Sequence, residues 1–221
     1  MSTKSGWLPL QNFWFLVLIA VLFSQIPIVN IPFQWLETFF HEISHGLAAI
    51  LSGGHIIRIQ LFANGAGLCT SAGGNSVFVA FSGYAGAVLF GMLLYWGAGV
   101  HRQGAKIISG ILIAMIIVTL LLWVKDLLTA VICLVLTAIF SLKLAYSRST
   151  WLAPILKIIS LVVLLNALQS PWYLWSTPQK SDAYLLAQYT MIPGFIWIII
   201  WLAMAIWGLL LLSKRNQGAK G

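Results

Sequence analysis

Long apolar stretches divided by short polar punctuation make up almost the whole chain. Such runs occupy 12–29, 33–51, 77–95, 107–124, 127–144, 151–168 and 192–212, each near the roughly 17–25 residues a helix needs to cross the hydrocarbon core. The pattern predicts about seven transmembrane helices. Pro32 suits the start of the second, and Ser52-Gly53-Gly54 supplies its stop. The first run leads straight on through Ile28-Val29-Asn30-Ile31-Pro32 with no small-residue cleavage site, so it reads as a retained span and not as a signal peptide. Between the second and third runs the period changes. Residues 56–70 alternate apolar and polar positions on either side of Asn64-Gly65, which predicts a β-hairpin closed by a two-residue turn.

Composition agrees with the pattern: 61% of residues are hydrophobic, 7% are charged, and the mean hydropathy is +0.97. No stretch is left over for a soluble domain. The expectation is one integral membrane domain over 1–221, all-α and polytopic apart from the hairpin, in the cell membrane. Within it a core of about 30–100 precedes later helices over about 105–212. The formal charge of +8 comes from Lys and Arg placed singly between apolar runs or in short terminal clusters. Those are juxtamembrane anchors, so the lipid bilayer is the partner and nucleic-acid binding is rejected. Seven spans with a cytoplasmic N-terminus would leave Arg102, Lys106, Lys143, Arg148, Lys214, Arg215 and Lys220 on the far side. The reverse orientation is therefore expected. Gly83, Ala87 and Gly91 repeat at four-residue spacing, a face for close helix packing. The segment 170–178, rich in Trp and Pro, is expected at the membrane surface. Cys69 and Cys133 are far apart and form neither a disulfide framework nor a metal motif.

Four carboxylates exist in the chain, Glu37, Glu42, Asp126 and Asp182. Two of them share the second run with His41 and His45, and ionisable groups inside a membrane helix are costly enough to mark a functional site. His41-Glu42-Ile43-Ser44-His45 is H-E-x-x-H: the histidines lie one turn apart on one face and can clasp one zinc ion. Glu42 lies about 100° round the helix from His41 and about 60° from His45. From there it can reach a zinc-bound water without being a ligand. Glu37, one turn before His41, can orient that ligand's second ring nitrogen or serve only as charge near a helix start.

The segments Glu37-Thr38-Phe39-Phe40-His41-Glu42-Ile43-Ser44-His45-Gly46, Ser52-Gly53-Gly54 and Phe81-Ser82-Gly83-Tyr84-Ala85-Gly86 resemble the site-2 protease family of intramembrane zinc metallopeptidases, in its smaller branch without PDZ domains. The resemblance covers roughly the first hundred residues. It implies a transmembrane motif helix, a hairpin at the membrane surface, a glycine-rich helix beside the metal, and hydrolysis of a peptide bond in or near a substrate's transmembrane segment. The partner it implies is thus a membrane protein. The family's later Leu-Asp-Gly motif is missing, which leaves Asp126, Asp182, His55 and His101 as candidates for a third ligand. Asp182 is preferred because Ser181-Asp182-Ala183 is similar to a segment of the smaller branch, whereas Asp126 follows Lys125 in what reads as a turn. Asn166 is a polar group inside an apolar run, suited to interhelical hydrogen bonding or to contact with the site. Because a helix's amides are already bonded, a protease must take an extended segment, and a strand edge carrying Ile59 and Leu61 could receive it. The rival readings are an inactive membrane scaffold that keeps the protease fold and a metal transporter. The transporter is weakened by the scarcity of polar residues in 77–95 and 107–124.

Overall fold

The computed structural model describes residues 12–101, 103–146, 149–171 and 181–218. Eight helices and two strands follow in the order α1 (Phe13–Ser24), α2 (Pro27–Leu51), β1 (His55–Leu61), β2 (Gly67–Ala72), α3 (Ser76–Val100), α4 (Gly104–Leu122), α5 (Leu127–Tyr146), α6 (Ser149–Gln169), α7 (Asp182–Thr190) and α8 (Gly194–Gly218). Five helices, α3, α4, α5, α6 and α8, are long and apolar enough to cross a membrane. The first two runs differ from expectation. Helices α1 and α2 meet that test only together, as a pair bent by 106°, so five or six candidate spans are found among the described residues where seven were expected. The reason is local: the residue before a proline is pushed out of helical geometry, and Ile26 is extended at φ −98°, ψ 105°, just ahead of Pro27. Pro27 therefore opens α2, while Pro32, the expected start, lies inside it. The added first turn is held from outside, since buried Asn30 exchanges hydrogen bonds with Asn166 of α6.

Contacts fix the direction of each helix. Phe13 at the start of α1 packs on Tyr95 near the end of α3, and Arg215 near the end of α8 lies over Trp96. At the opposite end the Trp123 carbonyl after α4 accepts from the Ile59 amide of β1. With α1 and α2 counted as one bent crossing, the six segments bring the first and last helices back to one end. That end carries Lys106, Lys143, Lys157, Lys214 and Arg215, whereas the hairpin end carries Arg58 and Lys125.

Helix α3 is the hub and touches α2, α4, α6, α7 and α8. Its small residues divide between neighbours. A Cβ on Gly91 would lie 2.9 Å from Leu164 of α6, and Ser160 Oγ donates to the Gly91 carbonyl at 2.6 Å, while Gly83 and Gly86 meet α2.

The strands pair antiparallel, with Ile59 opposite Cys69 and Leu61 opposite Gly67. The turn is longer than Asn64-Gly65 alone. The Gly65 amide reaches the Phe62 carbonyl and the Phe62 amide the Ala66 carbonyl, with Gly65 at φ +84°. Only Gly65 takes the left-handed conformation, so the loop is the three-residue type with a glycine bulge. The hairpin lies back along α2: Trp35 Nε1 donates to the Phe62 carbonyl, and Thr38 Oγ1 donates to the Gly65 carbonyl. Its tip thus sits beside the middle of the motif helix and not beyond its end.

Candidate metal centre

Helical spacing puts His41 and His45 side by side, and their rings meet edge to face at 4.7 Å between centroids. Their Nε2 atoms are 3.0 Å apart. Asp182, at the first turn of α7, brings Oδ2 to 3.1 Å from His41 Nε2 and 3.4 Å from His45 Nε2. Zinc with ligand bonds of about 2.0–2.1 Å in a tetrahedron would span ligand pairs by roughly 3.3 Å. Two imidazole nitrogens and a carboxylate oxygen at these separations therefore fit one zinc ion. The ring of His45 is also prepared for it. Its Nδ1 is 2.7 Å from the Val79 carbonyl, which can only accept, so Nδ1 holds the proton of the neutral ring and the Nε2 lone pair faces the cluster. Among the described residues this is the one group of three or more His, Cys, Asp or Glu side chains that converge closely enough to hold an ion.

Space for the cluster comes from glycine. A Cβ on Gly83 would lie 2.5 Å from Nε2 of both histidines, so any larger side chain would displace the rings. Glu42 lies on the flank of the helix next to the ligand face, buried at 6% exposure against β2, and shares the cavity with His41, His45 and Asp182. A Cβ on Gly67 would come within 2.6 Å of its Oε1, and the Cys69 amide also faces its carboxylate. Burial pushes the Cys69 thiol up to about 12, with the Glu42 charge adding to the effect, which keeps the sulfur protonated and a poor nucleophile.

Helix α7 holds Asp182 by apolar docking. Leu186 and Ala183 are buried with Tyr84 and Trp201, and Trp201 Nε1 donates to the Phe81 carbonyl at 3.2 Å. Tyr84 also meets His41 edge to face at 4.4 Å. Its place against the ligand ring was not read from the sequence, although it lies within the Gly83-Tyr84-Ala85-Gly86 segment. The metal cluster and Glu42 line a cavity of about 770 Å³ that extends along β2 through Leu68 and Thr70.

Other candidates lie elsewhere. Asp126 caps α5, accepting from the Thr129 amide and hydroxyl at 2.9 Å. His55 is exposed at the start of β1, and His101 is exposed after α3. Asn166 bonds Asn30, away from the cluster. Glu37 is buried one turn before His41, and its Oε1 has no hydrogen-bond partner among the described residues. Ile59 and Leu61 are fully buried, and the outer edge of β1 is engaged already: the Ile59 amide bonds Trp123 and the Leu61 amide bonds Thr129. The outer edge of β2 instead lines the cavity from Gly67 to Ser71, with the Cys69 amide turned to Glu42. Of the segment 170–178, residues 172–178 lie outside the described residues.

Residues 14–212 match the family described as peptidase M50B-like, which spans nearly the whole chain. The chain belongs to this family. The M50B-like assignment places it among the site-2 proteases, intramembrane metallopeptidases, and with the membrane-length helices makes it a multi-pass membrane protein. It also implies a metal, usually zinc. No curated protein and no solved structure matches the chain.

Proposed function

We propose that this chain is an active intramembrane zinc endopeptidase that hydrolyses a peptide bond in or near a substrate's transmembrane segment. The observation that carries the reading is the arrival of Asp182 at tetrahedral spacing from both motif histidines, with Glu42 beside them. It answers the absence of Leu-Asp-Gly, which was the best argument for an inactive scaffold. His41, His45 and Asp182 would hold the metal, which when bound supplies a Lewis acid to water and to the scissile carbonyl. Glu42 takes the proton of the attacking water on its carboxylate and delivers it to the departing amine. The pocket walls favour this proton transfer by keeping the carboxylate out of bulk water.

An extended substrate is best received by β2. The pairing alternates along the hairpin, and the amides of Ile59 and Leu61 point away from β2; the partners Cys69 and Gly67 correspondingly turn their backbone groups away from β1. Those groups face the cavity that holds the metal cluster. A strand laid there would bring its carbonyl between Glu42 and the ligands, by the edge addition that other peptide-binding sheets use.

Charge gives the direction of cutting. The cationic end is cytoplasmic by the positive-inside rule, so the hairpin and the cleft lie toward the other face. Substrates would be cut near the non-cytoplasmic end of their segments. The test is cleavage of a single-span reporter by purified protein, with product masses giving the cut site. Glu42→Gln should lower the rate about 10²–10⁴-fold while zinc stays bound. Full activity in that variant would overturn the mechanism, and zinc-loaded but inert wild type against a panel of spans would favour the scaffold.

A further inference from the structure

The cationic end of the bundle contains a second cavity, of about 250 Å³, between the ends of α3 and α8 and the first half of α6. Two cations face it. Lys157 Nζ lies 5.1 Å from the centre of the Tyr95 ring, and Arg215 lies 4.9 Å over Trp96. Lys157 is eight residues into α6, about 12 Å along the helix from Ser149, deep for a charge in a membrane segment. Gly99 makes room for it: a Cβ there would sit 3.1 Å from Lys157 Cε.

Neither cation has an acidic partner within the described residues. The chain's carboxylates are spent at the other end, three at the metal cluster and its motif helix and the fourth capping α5. Ring faces attract cations but neutralise nothing, and an unpaired charge in the membrane is by default a site with a counter-ion of its own. The aromatic rings add apolar walls at interfacial depth, where Tyr and Trp settle against headgroups. A guanidinium and an ammonium together match phosphate oxygens, the first as a fork and the second as a point charge.

We propose that Lys157 and Arg215 bind a phosphate group in this cavity, carried by an anionic phospholipid of the cationic face's leaflet. A phosphodiester brings the missing negative charge, and its acyl chains continue along the exposed apolar flanks of α3 and α8. Free inorganic phosphate offers the same oxygens without the tails. The site is separate from the metal cleft and does not depend on catalysis.

The test is titration of the zinc-loaded, detergent-purified protein with fluorescent phosphatidylglycerol. Lys157→Gln and Arg215→Gln should each weaken binding about fivefold, and the double variant about thirtyfold. Removing charge at the same end but outside the cavity, by Lys106→Gln with Lys143→Gln, should change it less than twofold. Zinc content reports that each variant has folded. Displacement of the lipid by millimolar inorganic phosphate would support the phosphate site with the free ion as its source. Unchanged phosphatidylglycerol binding in the folded double variant would overturn the proposal, as would equal losses in the control pair.

Discussion

The two ends of the bundle handle charge in opposite ways. At the hairpin end, two histidines and three carboxylates are gathered within α2 and the first turn of α7, so donor atoms and negative charge collect around a site shaped for a metal. At the other end, five of the seven described Lys and Arg residues stand without a single carboxylate. The first end is built to hold a cation and the second to meet anions outside the protein. The same bilayer penalty thus gathers anionic and neutral donors into one candidate metal centre at one end and leaves cations facing the membrane surface at the other. Because α3 spans both ends, its sequence shows the change within one helix: Gly83 is pressed against the ligand rings, and Gly99 against Lys157.

The sharpest way to break this contrast is to invert it. With the native cysteines replaced by serine, Ser71→Cys beside the cleft should react with a membrane-impermeant maleimide added to intact cells. Lys214→Cys should react only after lysis. Labelling of Lys214→Cys alone in intact cells would reverse the orientation and with it the face at which substrates are cut. A smaller but still large effect is expected at Gly83→Ala. The added methyl would sit 2.5 Å from both ligand nitrogens, so zinc affinity should fall about 10–100-fold, comparable to loss of a ligand-orienting contact, as read by competition with a chelator. Affinity equal to wild type would mean that α3 can move aside and that the close packing does not shape the site. The mildest change belongs to the cationic end, where the fivefold loss of phosphatidylglycerol binding in Lys157→Gln should leave zinc affinity unaltered. A change in zinc affinity there would show that the two ends are coupled.

Much of this arrangement is legible in the residue order. Apolar run length marks the five helices that match single runs, and H-E-x-x-H marks the ligand pair, because both signals are local. The failures arise where local signals meet long-range packing. Pro32 looks like a helix start, yet Asn30 is drawn into the helix by Asn166, 136 residues away. Helix α7 is only 9 residues long, too short for a spanning run, and its position rests on Leu186 and Ala183 meeting α3 and α8. The two late aspartates could have been separated by their caps. Asp126 is followed at three residues by Thr129 and spends its carboxylate on that amide. At Asp182 the preceding Ser181 accepts from the Tyr184 amide, which leaves the carboxylate free to face the histidines. The β1 edge at Ile59 and Leu61 reads as open because the residues that cover it, Trp123 and Thr129, follow much later in the chain.

Zinc stoichiometry of the detergent-purified protein tests the central claim most directly, with wild type measured beside His41→Ala, Asp126→Ala and Asp182→Ala. About one zinc per chain is expected in wild type and in Asp126→Ala, with loss in His41→Ala and Asp182→Ala. Retention of zinc at wild-type affinity in Asp182→Ala, or its loss in Asp126→Ala alone, would contradict the assignment of His41, His45 and Asp182 as the metal centre.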